Sequence, residues 1–270
     1  MTHSPVATVS ASHNTSVPSS GPRVTVLGHP MDLMTGRQVL DWIIYAARGR
    51  RRAIVAHHNL HSLYLAQRDP QFARFYERAD LIQVDSKALI RFARMTGKAA
   101  DLSHCATYLD WRGQFWDQAQ RYGLRVFYLG GEPGVATGAV RMMEMAYSDV
   151  RFSGHDGFFD VEREGADNQR VLSTIRRFAP DILMVGMGMP RQEMWIAENM
   201  EDLPPCVVMP VGAAFDHELG LQKAPPQWMH DWGIGWLHRL CHNPKLRLSR
   251  YLYEPWFLLK PAYRDLFRRR

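Results

Sequence analysis

Along this chain, short apolar runs alternate with longer stretches in which apolar residues recur every three or four positions. RAIVAHHN (Arg52 to Asn59), ADLIQVDS (Ala79 to Ser86), RVFYLG (Arg125 to Gly130), VRFSGH (Val150 to His155), DILMVG (Asp181 to Gly186) and CVVMPVG (Cys206 to Gly212) have the length and apolar character of buried strands. VTVLG, from Val24, reads as a further strand. Arg37 to Ala47, LHSLYLAQ, DPQFARFYERA, KALIRFARMTG, VATGAVRMMEMAY and RQEMWIAENM have helical spacing. Apolar strands alternating with helices predict a mostly parallel α/β sheet with right-handed crossovers.

The two ends depart from this pattern. Residues 1–22 are rich in Ser, Thr and Pro and lack a continuous apolar core, so they read as a disordered tail and not as a signal peptide. Residues 23–222 carry the strand–helix alternation and form the candidate catalytic domain. From Lys223 to Arg270, ten Lys or Arg stand against three Asp or Glu, and four of the eight Trp fall there. The formal net charge is +6, so the whole cationic excess sits in this helical, aromatic-rich appendage. Such a segment suits an anionic partner: a membrane surface, a phosphorylated substrate or nucleic acid. No apolar run reaches the roughly 18 residues of a membrane span. The three cysteines, Cys105, Cys206 and Cys241, are sparse and far apart, which favours a reducing cytoplasm over a disulfide framework.

Candidate chemistry gathers where strands end. In open α/β sheets, ligands bind at the carboxyl ends of strands. Gly130 and Gly131 form one glycine-rich corner there, Gly186 and Gly188 another, and Gly212 follows the last strand. Glycines let a backbone approach a phosphate, and helix N-termini favour negative charge; they also simply make tight turns. Pro190 suits the first helical position. Asp85 ends a strand at the same edge, as a general base or as a helix cap. Asn59 could bind a sugar hydroxyl or cap a turn, and Asp216 could bind ligand or cap. His57 and His58 are adjacent on a strand and point to opposite faces, which argues against zinc. No D-x-D occurs, so a nucleotide-sugar enzyme of this sequence is expected to work without a carboxylate-held metal or other cofactor. The diphosphate charge would then fall to backbone N–H groups and cationic side chains.

Taken in order, FYLGGEPGVATGA, GHDGFF, PDILMVGMGMPRQEMWI, VGAAFDHELG, KAPPQWM and GWLHRLCHNPKLRLSRY resemble the WecG/TagA/CpsF family of bacterial glycosyltransferases. The resemblance runs from about Val24 to about Phe257. It implies a Rossmann-like core with helices on both faces and a C-terminal appendage that engages a membrane-bound acceptor. It also implies metal-independent, inverting transfer from a UDP-sugar to a sugar on a polyprenyl diphosphate, at the cytoplasmic face of the membrane. Asp85 matches the aspartate of the family's "ADL…DG" motif and inherits the general-base role, with Ser86 in place of Gly. The family's "TPN" strand end matches His57, His58 and Asn59, with His57 in place of Thr. Its "PKQE" corner matches Pro190 to Glu193, with Arg191 in place of Lys. On that match Arg191, Gln192 and Glu193 join His57, Asn59, Asp216 and the corner glycines as donor-site candidates. Arg239, Arg247 and Arg250 would meet the acceptor or the UDP diphosphate. The family's "RxxGxDL" segment is poorly kept in LSHCATYLDW.

The departures at His57 and Ser86 favour a neutral hexose donor, UDP-glucose, in exopolysaccharide assembly; UDP-N-acetylmannosamine or its uronate is the alternative. A homo-oligomer is compatible with either. A nucleic-acid-binding or regulatory module with a basic tail is disfavoured by the absence of nucleic-acid motifs and by charges mixed with Trp and Leu. A nicotinamide-dependent oxidoreductase is disfavoured by the missing G-x-G-x-x-G fingerprint.

Overall fold

The computed structural model describes residues 21–221, 229 and 244–267. Its centre is a six-stranded sheet. The strands are β3 (Ala53–His58), β4 (Leu81–Val84), β5 (Arg125–Gly130), β6 (Arg151–His155), β7 (Ile182–Gly186) and β8 (Val207–Pro210), in the order β4-β3-β8-β7-β5-β6. Every pairing within it is parallel, so all six carboxyl ends lie along one edge.

Side chains alternate across the strands and feed two cores, as a period of two dictates. Ile54, Phe127, Leu183 and Val208 enter one core; Val55, Val126, Met184 and Val207 enter the other. The first core is covered by α2 (Leu60–Arg68), α3 (Pro70–Glu77), α4 (Lys87–Met95), α7 (Ala166–Phe178) and α8 (Arg191–Asn199). The second is covered by α1 (Gly36–Arg48), α5 (Tyr108–Arg121), α6 (Val135–Ala146) and α9 (Ala214–Glu218). The result is the expected three-layer α/β arrangement. Local chemistry starts the helices. Thr35 and Gln38 close a capping box at α1, Asp69 caps α3 ahead of Pro70, and Ser86 accepts the Leu89 N–H at 3.4 Å to cap α4.

VTVLG does not join this sheet. β1 (Arg23–Val26) pairs only with β2 (His29–Asp32) in an antiparallel hairpin turned at Leu27 and Gly28. Asp32 explains its place. Its carboxylate takes two N–H groups of Arg23, at 2.8 and 2.9 Å, and the backbone N–H of Ile82 at 2.8 Å. The Ile82 N–H on the outer edge of β4 is thereby satisfied. The helices α5 and α7 also had no counterpart in the sequence pattern. Gly21 and Pro22, placed in the tail by sequence, already pack on the hairpin's exit: the Pro22 carbonyl accepts the Leu33 N–H at 3.1 Å. The rest of the tail lies outside the described residues.

The C-terminal helix, Pro244–Phe267, docks on α2 and on the hairpin. Its Glu254 meets His61 Nδ1 at 2.7 Å, its Asp265 accepts the Leu27 N–H at 2.6 Å, and Leu258 enters the first core. Phe257 packs edge-on against Tyr64. The opposite side is exposed and apolar, with Tyr253, Trp256, Leu259, Tyr263 and Phe267 facing outward. Among the described residues no helix is long and apolar enough to cross a membrane.

Candidate active site

Adjacent strands β5 and β7 send their helices to opposite faces, α6 to one core and α8 to the other. That divergence opens a crevice between their carboxyl ends, the place where open α/β sheets bind ligands. Gly130 and Gly186 face each other there in register. A Cβ on Gly130 would lie 2.4 Å from the Gly186 carbonyl oxygen, and one on Gly186 would lie 2.6 Å from the Gly212 oxygen. Only glycines allow three corners to come this close. Gly131 donates its N–H to the Gly186 oxygen at 3.1 Å, and its own oxygen accepts the Gly157 N–H at 2.9 Å, which draws the β6–α7 loop over the corner.

Arg191 pins that loop from the other side. It donates to the Phe159 carbonyl at 2.6 Å and lies over the Phe159 ring. Its Nε is buried and meets no acceptor among the described residues. Gln192 and Glu193, expected to face the donor, are instead buried at 2% and 0% exposure. Pro190 is not the first helical residue but the N-cap of α8, after a cis peptide bond. Asp216 sits half-buried on α9, close enough to Tyr128 for its charge to help burial raise the phenol's pKa.

Three strands away, side chains replace bare backbone. Asp85 follows β4, half-buried, and donates its backbone N–H to the His58 oxygen at 2.8 Å. Ser86 performs the capping that Asp85 might have performed. Burial pushes the Cys105 thiol up to about 12, and the Asp85 charge adds to it. His57 is half-buried, and desolvation pushes its pKa down to about 4, so the ring is neutral at physiological pH. His58 is fully buried; burial first, then the nearby His29 and His57, hold it well below its ordinary value. The His58 ring stacks on Tyr76 at 3.9 Å between centroids, and its Nδ1 lies 2.9 Å from Ser62 Oγ. The two histidines thus point to opposite faces. Among the described residues no group of three His, Cys, Asp or Glu side chains could hold a metal ion. Asn59 is a helix cap: its Oδ1 accepts the Ser62 N–H at 3.1 Å at the start of α2.

Arg239 lies outside the described residues. Arg247 and Arg250 fall on the C-terminal helix. Sequence reasoning missed Tyr76, Tyr128 and Gln83. Tyr128 is buried on β5 with a hydroxyl that meets no partner among the described residues, and Gln83 has a buried, unpartnered carbonyl oxygen on β4. A polar residue inside an otherwise apolar strand was the available signal for both.

The family model described as "Glycosyl transferase WecG/TagA/CpsF family" matches residues 24–270. Proteins of Staphylococcus aureus strains MW2 and NCTC 8325 are each 25% identical over 246 residues, covering 90% of this chain and 94% of theirs. Both carry the name N-acetylglucosaminyldiphosphoundecaprenol N-acetyl-beta-D-mannosaminyltransferase.

Proposed function

Because the chain belongs to the WecG/TagA/CpsF family of glycosyl transferases, we propose that it moves N-acetylmannosamine from a UDP donor to a sugar carried on a polyprenyl diphosphate. The glucose donor expected from His57 and Ser86 yields to the names of the relatives, which are mannosaminyltransferases. Those names also favour an N-acetylglucosaminyl diphosphate lipid as the acceptor.

The observation that carries the reading is the spacing of the two ends of the crevice. From β7 to β4 is three strand steps, and at about 4.8 Å a step this spans ~14 Å. A diphosphate seated at the Gly130–Gly186 corner would reach Asp85 with its sugar. In the transfer, an acceptor hydroxyl oxygen attacks the anomeric carbon from the face opposite the phosphate, and the configuration inverts. The carbon–oxygen bond to UDP breaks, and UDP leaves with the electron pair. Asp85 takes the proton from the attacking hydroxyl. Arg247 and Arg250 would offset the charge that develops on UDP. The outward aromatic face of the C-terminal helix would rest on the anionic inner leaflet, where the lipid acceptor lies.

The test is UDP release from purified protein, with EDTA present, a panel of UDP-sugars and an N-acetylglucosaminyl diphosphate lipid in detergent. Turnover with UDP-N-acetylmannosamine alone is expected. Turnover only with UDP-glucose would restore the original donor, and turnover abolished by EDTA would overturn the metal-independent scheme.

A further inference from the structure

Gln192 Oε1 accepts two backbone N–H groups, from Gly188 at 3.2 Å and from Gly212 at 3.1 Å. Gly188 belongs to the corner after β7 and Gly212 to the corner after β8. One amide oxygen therefore ties two loops of the crevice together from beneath. Both glycines take left-handed backbone, at φ +78° and +54°, and a Cβ on either would meet no heavy atom within 4 Å. Their outer sides are open, while their N–H groups turn inward. The Gln192 backbone N–H adds a bond to the Gly188 oxygen at 3.0 Å.

A carboxamide is nearly symmetric in shape, and its two ends differ in chemistry. Turned over, Gln192 would present NH₂ to two N–H donors, and the tie would become a repulsion. Glu193 prevents that. Its Oε1 accepts Gln192 Nε2 at 2.8 Å. With Oε1 accepting from the amide nitrogen, Glu193 favours the amide orientation that leaves the oxygen facing the glycines. The second carboxylate oxygen, Oε2, is buried and meets no donor among the described residues. Its cost is unexplained by packing alone, because a buried unsatisfied acceptor is usually removed or paired.

We infer that Glu193 is a positioning residue: by fixing the Gln192 amide, it holds the corners after β7 and β8 at the spacing that the donor requires, without touching the donor itself. This rests on the proposed glycosyl transfer for its kinetic readout only.

Three variants test it. Glu193→Leu removes the acceptor and is expected to raise the donor KM about tenfold, the effect of one lost buried hydrogen bond, with little change in kcat. Glu193→Gln keeps an acceptor oxygen and is expected to restore most of that loss. The exchange Gln192→Glu with Glu193→Gln reverses donor and acceptor across the pair and is expected to outperform Gln192→Glu alone. Amide hydrogen exchange at Gly188 and Gly212 reads the tie without any substrate: faster in Glu193→Leu, protected in Glu193→Gln. Normal protection of both glycines in Glu193→Leu would overturn the inference, whatever the enzyme's substrate. A kcat loss shared by Glu193→Leu and Glu193→Gln would also overturn it, since the carboxylate would then act on the reaction itself. If the wild-type protein turns over no UDP-sugar, the functional reading fails, while the exchange result still decides the role of Glu193.

Discussion

The two ends of the crevice are built from different materials. At β5 and β7 the surface is nearly all backbone, with Gly130, Gly186 and Gly212 so close that no side chain fits between them. At β3 and β4 it is side chain, with His57, Asn59 and Asp85 at the strand ends and His58, Tyr76 and Gln83 packed behind them. The first end can recognise by the shape of bare backbone; the second can move protons. This division is what a nucleotide-sugar transferase needs: a rigid seat for the part that does not react, and titratable groups where it does. Substitutions at the two ends should therefore fail in different ways.

Asp85→Asn should fail most severely and only in chemistry. Loss of a general base costs on the order of a thousandfold in turnover, and UDP affinity measured by calorimetry should stay close to wild type. Gly130→Ala should fail in the opposite sense. Its new methyl group would meet the Gly186 carbonyl at 2.4 Å, and relieving such overpacking costs about 1–3 kcal/mol. The expected result is a lower melting temperature and loss of UDP binding. An Asp85→Asn protein that no longer binds UDP, or a Gly130→Ala protein that binds it normally, would erase the distinction between the ends.

How much of this was legible beforehand follows the same division. The glycine corners and the strands leading into them could be read because alternation and glycine placement are local properties. The second strand of the hairpin could not. HPMD is short and contains a proline, and its pairing with β1, with the Asp32 carboxylate against Arg23 and Ile82, holds it as a strand. α5 escaped because Gly113 lowers its helix propensity and polar residues fill its exposed face, although Tyr108, Trp111, Phe115, Trp116 and Ala119 form a buried face. α7 escaped because its buried apolar residues are few, Val171, Leu172 and Ile175, with Phe178 partly buried beside them. Asn59, Gln192 and Glu193 were found as residues, but their roles as cap and clamp depend on which backbone groups lie near them, and that is tertiary information.

The pH dependence of stability sharpens the comparison, because each end carries its own shifted titrating group. His57 falls from 6.5 to about 4 on folding. The folded state then holds fewer protons than the unfolded one between those values, and stability is lost as pH drops through that window. Glu193 rises from 4.5 to about 7 through burial. Here the folded state holds more protons, and stability is lost as pH rises from 4.5 towards 7. A rise of that size corresponds to about 3 kcal/mol once the carboxyl is ionised. Glu193→Gln should therefore melt at a higher temperature than wild type at pH 8, with the gap closing near pH 4.5. A gap that is the same at both pH values would mean that Glu193 keeps an ordinary carboxyl pKa in the folded protein.

The smallest effect separates structure from recognition at the side-chain end. Asn59 uses its Oδ1 to cap α2, and Ser62 returns the contact by accepting the Asn59 N–H at 2.9 Å. Replacing an asparagine cap by alanine costs about 1 kcal/mol, so Asn59→Ala should lower the melting temperature slightly. Asn59→Asp keeps the cap, since its carboxylate accepts the same N–H, but removes the amide's own donors. If Asn59 only starts the helix, Asn59→Asp should match wild type in donor KM and in stability. If the Asn59 amide also reads a sugar hydroxyl, Asn59→Asp should keep stability and raise the donor KM. Comparing the two variants in one assay then decides whether the crevice end at β3 and β4 contributes one reacting carboxylate on a structural frame, or a carboxylate flanked by a second residue that recognises the sugar.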